Sequence, residues 1–178
     1  RSRNFVPSFT SHGFRYVEIT GNGCELSDIS FVTSLEGLVL CNTPDTTGSF
    51  ECSDPLVNQL QSNIQWGQRG NSLLVYTDCP QRNERMGWTG DAQVFAPTAA
   101  FNMDVQSFMN KWLLDVRDGQ LMYNRQGAVP DTAPLGGDNR PAGCAGWADA
   151  SVIVPWEMYL AYGDTRVLEE NYECMARW

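Results

Sequence analysis

The sequence predicts a mainly helical chain with a shorter β region ahead of it, and three observations carry that prediction. Apolar residues recur with a period of two over residues 1–50 and with a period near 3.6 from Asp54 onward. Aspartates stand where helices begin, at Asp54, Asp104, Asp149 and Asp164. Glycine and proline crowd into one long connection, VPDTAPLGGDNRPAGCAG, which ends just before Trp147.

Each element follows in order. In GFRYVEITGNG, Phe14, Tyr16 and Glu18 alternate with Arg15, Val17 and Ile19, and Gly21-Asn22-Gly23 closes the run at a turn. A second extended stretch, ISFVTS, precedes the polar cluster NTPDTTG, so residues 1–50 read as β. Asp54-Pro55 supplies an N-cap with proline at the first helical position, and Leu56, Leu60 and Ile64 recur at intervals of four. A shorter helix over Asp91 to Phe101 is bent by Pro97. The clearest pattern is capped by Asp104 and places Val105, Phe108, Met109, Trp112, Leu113 and Val116 on one face. Asp149 caps a further helix with Val152, Ile153, Trp156 and Leu160 inward, and Asp164 starts a last one with Leu168, Tyr172 and Met175 on its stripe. Helices joined by unequal loops suggest an array of helical hairpins, too few to close a large toroid. The connection from Gln120 to Trp147 is long enough to be expected to line a site.

Composition narrows the function. With 42% hydrophobic and 19% charged residues the chain is ordinary globular material. A net charge of −9 argues against nucleic acid, which demands clustered Lys and Arg, and favours a neutral or cationic ligand. No apolar run approaches the roughly 18 residues of a membrane span. There is one histidine, His12, so a histidine-built metal site has little to draw on, and neither metal nor cofactor is expected. Six cysteines would allow three disulfides, but none form a CxxC pair, and buried free thiols are the reading adopted. The chain opens at Arg1 without methionine and stops inside a helical pattern, as a piece of a longer protein would.

The chemistry gathers in TDCPQRNERMGWTGD, residues 77–91. Glu84 is flanked by Arg82 and Arg85, which favour its ionised form, and lies near Met86 and Trp88, whose apolar surface disfavours it. A carboxyl held between opposing influences suits a general acid. An indole beside carboxylates suits a sugar, whose ring faces are apolar and whose rim is hydroxylated. Two structural readings stand beside this one: an ion-pair network that pins the loop, and Asp91 as simple N-cap after Gly90.

The segment TDCPQRNERMGWTGDAQVF closely resembles the signature of the bacterial α-L-rhamnosidases, which are inverting glycoside hydrolases with a DCPQRDER-x-GWTGD pattern. The likeness extends to FTSHGFRYVEITG, NIQWGQRGN and GWADASVIVPWEMYLAYGD, and so covers essentially the whole chain. It implies a β-sandwich ending within residues 1–50 and, over 51–178, the first helices of an (α/α)6 barrel. It further implies that Glu84 is the general acid, that Asp78, Arg82 and Asp91 hold rhamnose hydroxyls, and that Trp88 walls the sugar pocket, with Trp147 a further pocket aromatic. The family's general base, a glutamate farther downstream, has no counterpart here. Glu157, Glu169, Glu170 and Glu173 sit on regular helical patterns where solvated or pairing roles are expected. Asn83 stands where the family usually has aspartate, and Ala148 where it has glycine.

The implied function is release of terminal α-L-rhamnose from glycosides or polysaccharides, with this chain alone inactive for want of the base. The alternatives are a non-catalytic carbohydrate-binding homologue, or a glycosidase or lyase for another sugar on the same barrel. The expected partner is a rhamnose-containing carbohydrate, with neither nucleic acid nor membrane.

Overall fold

The computed structural model describes residues 4–20, 32–42, 45–84, 86–123, 126–135 and 142–178. Among the described residues six helices follow one another: α1 (Pro55–Asn71), α2 (Thr89–Asn102), α3 (Gln106–Tyr123), α4 (Ala145–Ala148), α5 (Ala150–Tyr162) and α6 (Arg166–Arg177). Helix α2 packs on α4 and α5, α5 on α6, and α3 lies against α5 and α6. Among the described residues no strand forms, and pairing is limited to isolated antiparallel bridges such as Thr46–Met103 and Trp88–Thr132. The alternating stretch at 14–19 is therefore irregular here. A strand exists only where a neighbour supplies its ladder, and nothing described beside residues 14–19 does so. The turn at 21–23 and the start of ISFVTS lie outside the described residues.

The core is built where the sequence pattern was strongest. Val105, Met109, Trp112, Leu113 and Val116 are all buried, with Phe108 packed against them. Each such side chain contributes about 1.5–3 kcal/mol on burial. Asp104 lies one residue before the N-cap position, which Val105 occupies, and its carboxylate accepts from the first helical amide, that of Gln106, at 3.2 Å. Asp54 likewise accepts from the Leu56 amide at 2.8 Å, with Pro55 at the first helical position.

Three apolar stripes face elsewhere than predicted. On α1, Leu56 and Leu60 are 78% and 57% exposed, and the helix turns its amides inward instead. Gln61 donates to Asn102 Oδ1 at 2.7 Å, and buried Gln68 donates to the Ala99 carbonyl at 3.2 Å. On α5 the buried residues are Ala150, Ser151, Val154, Pro155 and Met158, while Trp156 and Leu160 face out. That helix is apolar on every side, so period alone could not select its inner face. The helix it packs on, α2, buries Ala92, Ala96 and Ala99. On α6 the buried face is Val167, Asn171 and Cys174, one position before the predicted stripe, and Tyr172 is exposed. Asp149 makes no cap bond; its carboxylate accepts instead from Trp178 Nε1 at 2.8 Å.

The five described cysteines, Cys41, Cys52, Cys79, Cys144 and Cys174, are free thiols, and Cys24 lies outside the described residues. Of the five only Cys174 is buried; Cys41, Cys52 and Cys79 are half-buried and Cys144 is exposed, so the expected burial holds for one thiol of the five. No described helix is long and apolar enough to cross a membrane.

Candidate active site

The signature segment runs from the end of α1 into α2. Its entry is fixed at Tyr76, a buried ring in edge contact with Phe95 and Phe108 at centroid distances of 5.9 and 4.7 Å. Burial pushes the Tyr76 phenol up to about 12, with donation from Gln68 opposing the rise. Thr77 is tied back to Asn71 by its amide at 3.0 Å. The N-terminal segment touches the loop at Gly13, whose amide donates to the Pro80 carbonyl at 3.2 Å.

Within the loop, Asp78, Cys79 and Glu84 converge, with one carboxylate oxygen of each acid and the Cys79 sulfur all within 4.8 Å of one another. Cys79 donates to Asp78 Oδ2 at 3.0 Å, and Asp78 Oδ1 is buried without a hydrogen-bond partner among the described residues. Glu84 is ion-paired to Arg82, whose guanidinium is mostly exposed while the carboxylate is three-quarters covered. Arg85 lies outside the described residues.

Helix α2 begins at Thr89, so Asp91 is not its N-cap but the third residue of its first turn. A carboxylate there is favoured by the helix dipole. Desolvation nevertheless raises the Asp91 carboxyl above the ordinary aspartate value, and the like charge of Asp78 adds to the rise. That coupling places both aspartates in one electrostatic neighbourhood.

The loop's exit is gripped by a strap from the long connection, Val129 to Ala133. The Ala133 amide donates to the Gly87 carbonyl at 2.8 Å, and the Thr89 amide donates to the Asp131 carbonyl at 2.9 Å. Trp88 bridges Thr132 between these bonds. Two glycines make the fit possible: a Cβ on Gly87 would collide with the Ala133 carbonyl oxygen, and one on Gly90 would lie 3.0 Å from Trp147 Cδ1. Trp147 is thereby brought against the first turn of α2, beside Asp91. The sequence places the long connection near a site but singles out neither Thr89 nor Cys79 nor the strap as part of it. The turn residues PDT at 130–132 and the two signature glycines were the available signals.

All six predicted residues are thus distributed around one end of α2: Asp78, Arg82 and Glu84 on the loop, Trp88 and Asp91 at its start, Trp147 on α4. The groove lined by Pro97, Phe101, Glu157 and Leu160 lies along the other half of α2 and belongs to a different region.

Residues 45–178 match the bacterial alpha-L-rhamnosidase 6 hairpin glycosidase domain. An alpha-L-rhamnosidase of Streptomyces avermitilis is 49% identical over 174 residues, 98% of this chain and 16% of its own length. One from Formosa agariphila is 46% identical over 177 residues, 98% of this chain and 18% of its own length. The chain therefore spans less than a fifth of these relatives. Among solved structures, the Streptomyces avermitilis alpha-L-rhamnosidase complexed with L-rhamnose superposes with a TM-score of 0.72 at 51% identity, over 77% of this chain and 13% of that one. The alpha-L-rhamnosidase of Dictyoglumus thermophilum does so with a TM-score of 0.70 at 43% identity, over 75% of this chain and 15% of that one. The helical array is part of an α/α barrel, and the chain belongs to the bacterial α-L-rhamnosidase family of six-hairpin glycosidases.

Proposed function

We propose that the protein carrying this chain is a glycoside hydrolase that releases terminal α-L-rhamnose by an inverting acid/base mechanism. The observation that carries the proposal is the convergence of Asp78 and Glu84, with Arg82 paired to the latter, on the signature loop of a rhamnosidase-family barrel. Glu84 is the general acid that protonates the glycosidic oxygen. Its pairing with Arg82 favours the anion, so the role requires Arg82 to exchange Glu84 for a sugar hydroxyl on binding. Asp78 Oδ1, buried and without a hydrogen-bond partner among the described residues, accepts a second hydroxyl, and Asp91 a third. Trp88 and Trp147 flank the ring and its methyl group. A methyl is worth only about 1–3 kcal/mol in such a pocket, so the hydroxyl contacts supply much of the selectivity.

Inversion also needs a carboxylate on the opposite face, about 6.5–9.5 Å from the acid, to activate water. No carboxylate of this chain is assigned that role. Residues 1–50 are proposed as the last part of a β-sandwich and 51–178 as the first part of the barrel, a division supported by the family match beginning at residue 45.

The test is Glu84→Gln in the protein at full genomic length. Loss of the proton donor lowers turnover of rhamnosides with poor leaving groups by about 10²–10⁴-fold and that of activated aryl rhamnosides far less. Equal losses on both would remove Glu84 from the acid's role.

A further inference from the structure

We propose that Thr89 is a positioning residue for the sugar pocket: its hydroxyl locks the start of α2 onto the strap and so sets Trp88 and Asp91 together. The proposal rests on the rhamnose reading above and adds to it a residue that touches no substrate.

Helix α2 starts without a capping side chain, because Trp88 occupies the N-cap position and makes no cap bond. The first amides of a helix are orphans that need an outside acceptor. Here the Asp131 carbonyl is that acceptor, taking the Thr89 amide at 2.9 Å. The same oxygen also takes the hydroxyl of fully buried Thr89 at 2.9 Å, and the Pro130 carbonyl of the strap lies 3.4 Å from that hydroxyl as a second acceptor. One donor alone would hold the backbone at its distance, and the second fills the carbonyl's remaining lone pair while giving the buried hydroxyl its acceptor. Its effect is geometric: two donors from one residue, converging on one oxygen, fix the rotation of the first helical turn about the strap as well as its distance.

The strap is itself anchored. Its Ala133 carbonyl accepts from the indole of buried Trp112 at 2.9 Å, and its Val129 carbonyl accepts from the Gly143 amide at 2.9 Å. Thr89 therefore links the first turn of α2 to a fixed support reaching the core of α3. Trp88 precedes it by one residue and Asp91 follows it by two, so both proposed sugar contacts turn with it.

The experiment compares Thr89→Val, which keeps shape and loses the hydroxyl, with Thr89→Ser, which keeps the hydroxyl, both at full genomic length. KM and kcat are measured on an aryl α-L-rhamnoside, and the Kd of L-rhamnose by calorimetry. Thr89→Val raises KM and Kd about fivefold, the scale of one net hydrogen bond, while kcat changes by less than about threefold. Thr89→Ser restores both constants to within about twofold of wild type. Unchanged KM and Kd in Thr89→Val, whatever its melting temperature, would overturn the proposal, as would failure of serine to rescue. Should Thr89→Val not fold, Trp112→Phe carries the test by releasing the strap's other anchor: a raised Kd in the folded variant supports the proposal and an unchanged one overturns it. A wild-type protein that neither binds rhamnose nor hydrolyses the rhamnoside would sink the sugar assignment and this inference with it. An active wild type with unaltered Thr89 variants would sink this inference alone.

Discussion

Replacing Gly87 by alanine perturbs the signature loop at its most crowded point. The added Cβ would penetrate the Ala133 carbonyl oxygen, while the carbonyl carbon and Val75 Cγ2 lie 3.1 and 3.2 Å from it. Backbone stands in the way, so relief requires the strap to retreat. Retreat breaks the Ala133 amide bond to Gly87 at 2.8 Å and frees the carbonyl that Trp112 holds at 2.9 Å. One lost bond costs about 1 kcal/mol, and a buried indole N–H left unpaired about 1–3 kcal/mol more, giving about 2–4 kcal/mol in all. A loss of that size belongs with core cavities rather than surface changes. The assay is denaturant unfolding of the full-length protein followed by tryptophan emission, with Gly67→Ala as the matched control. Gly67 lies inside α1 with nothing within 4 Å of an added Cβ, so alanine there stabilises by up to about 1 kcal/mol. An unfolding midpoint for Gly87→Ala equal to wild type would refute the steric reasoning.

Two further outcomes follow from titrating groups. Tyr76 ionises near 10 when unfolded and about 12 when folded, so its contribution is intact below pH 10 and is lost as pH climbs toward 12. The loss amounts to about 2–3 kcal/mol at 1.36 kcal/mol per unit, and Tyr76→Phe abolishes it; parallel alkaline unfolding curves for the two proteins would refute this. Asp91 has a raised folded value, so its ionisation opposes the fold: Asp91→Asn and wild type compare alike in strong acid, and the balance shifts toward the variant as pH rises through that raised value. In the same variant rhamnose affinity falls at neutral pH. Unchanged affinity would leave Asp91 with a helix-dipole role only.

The residues show why some features were legible in sequence and others were not. The face of α3 was readable because Val105, Met109, Trp112, Leu113 and Val116 are large, apolar and flanked by Gln106, Lys111 and Asp115, so the period had contrast. Helix α5 offered none: ASVIVPWEMYLAY is apolar on all sides, and the face it buries, with Ala150 and Val154, is one that no period marks out. On α1 the leucines misled because the neighbouring surface offered carbonyl and amide groups, which Gln61 and Gln68 satisfy. Asp78, Arg82, Glu84, Trp88 and Asp91, the residues proposed for the site, were selected through the resemblance of one contiguous segment to a family signature. Thr89 was not, because its role depends on a carbonyl 42 positions away, and no local pattern announces such a partner.

The strap also has a consequence for the order of assembly. During synthesis the loop bearing Glu84 emerges well before the residues that brace it, and α3 must form and the chain must return from it before Ala133 can meet Gly87. Closing so long an excursion carries an entropic penalty that only the finished contact repays. A nascent chain that has produced the signature but not the strap therefore holds Asp78 and Glu84 on an unbraced segment. The bracing of the signature loop arises late in folding, in the same step that seats the Trp112 indole, and it cannot outlast the loss of that step on unfolding.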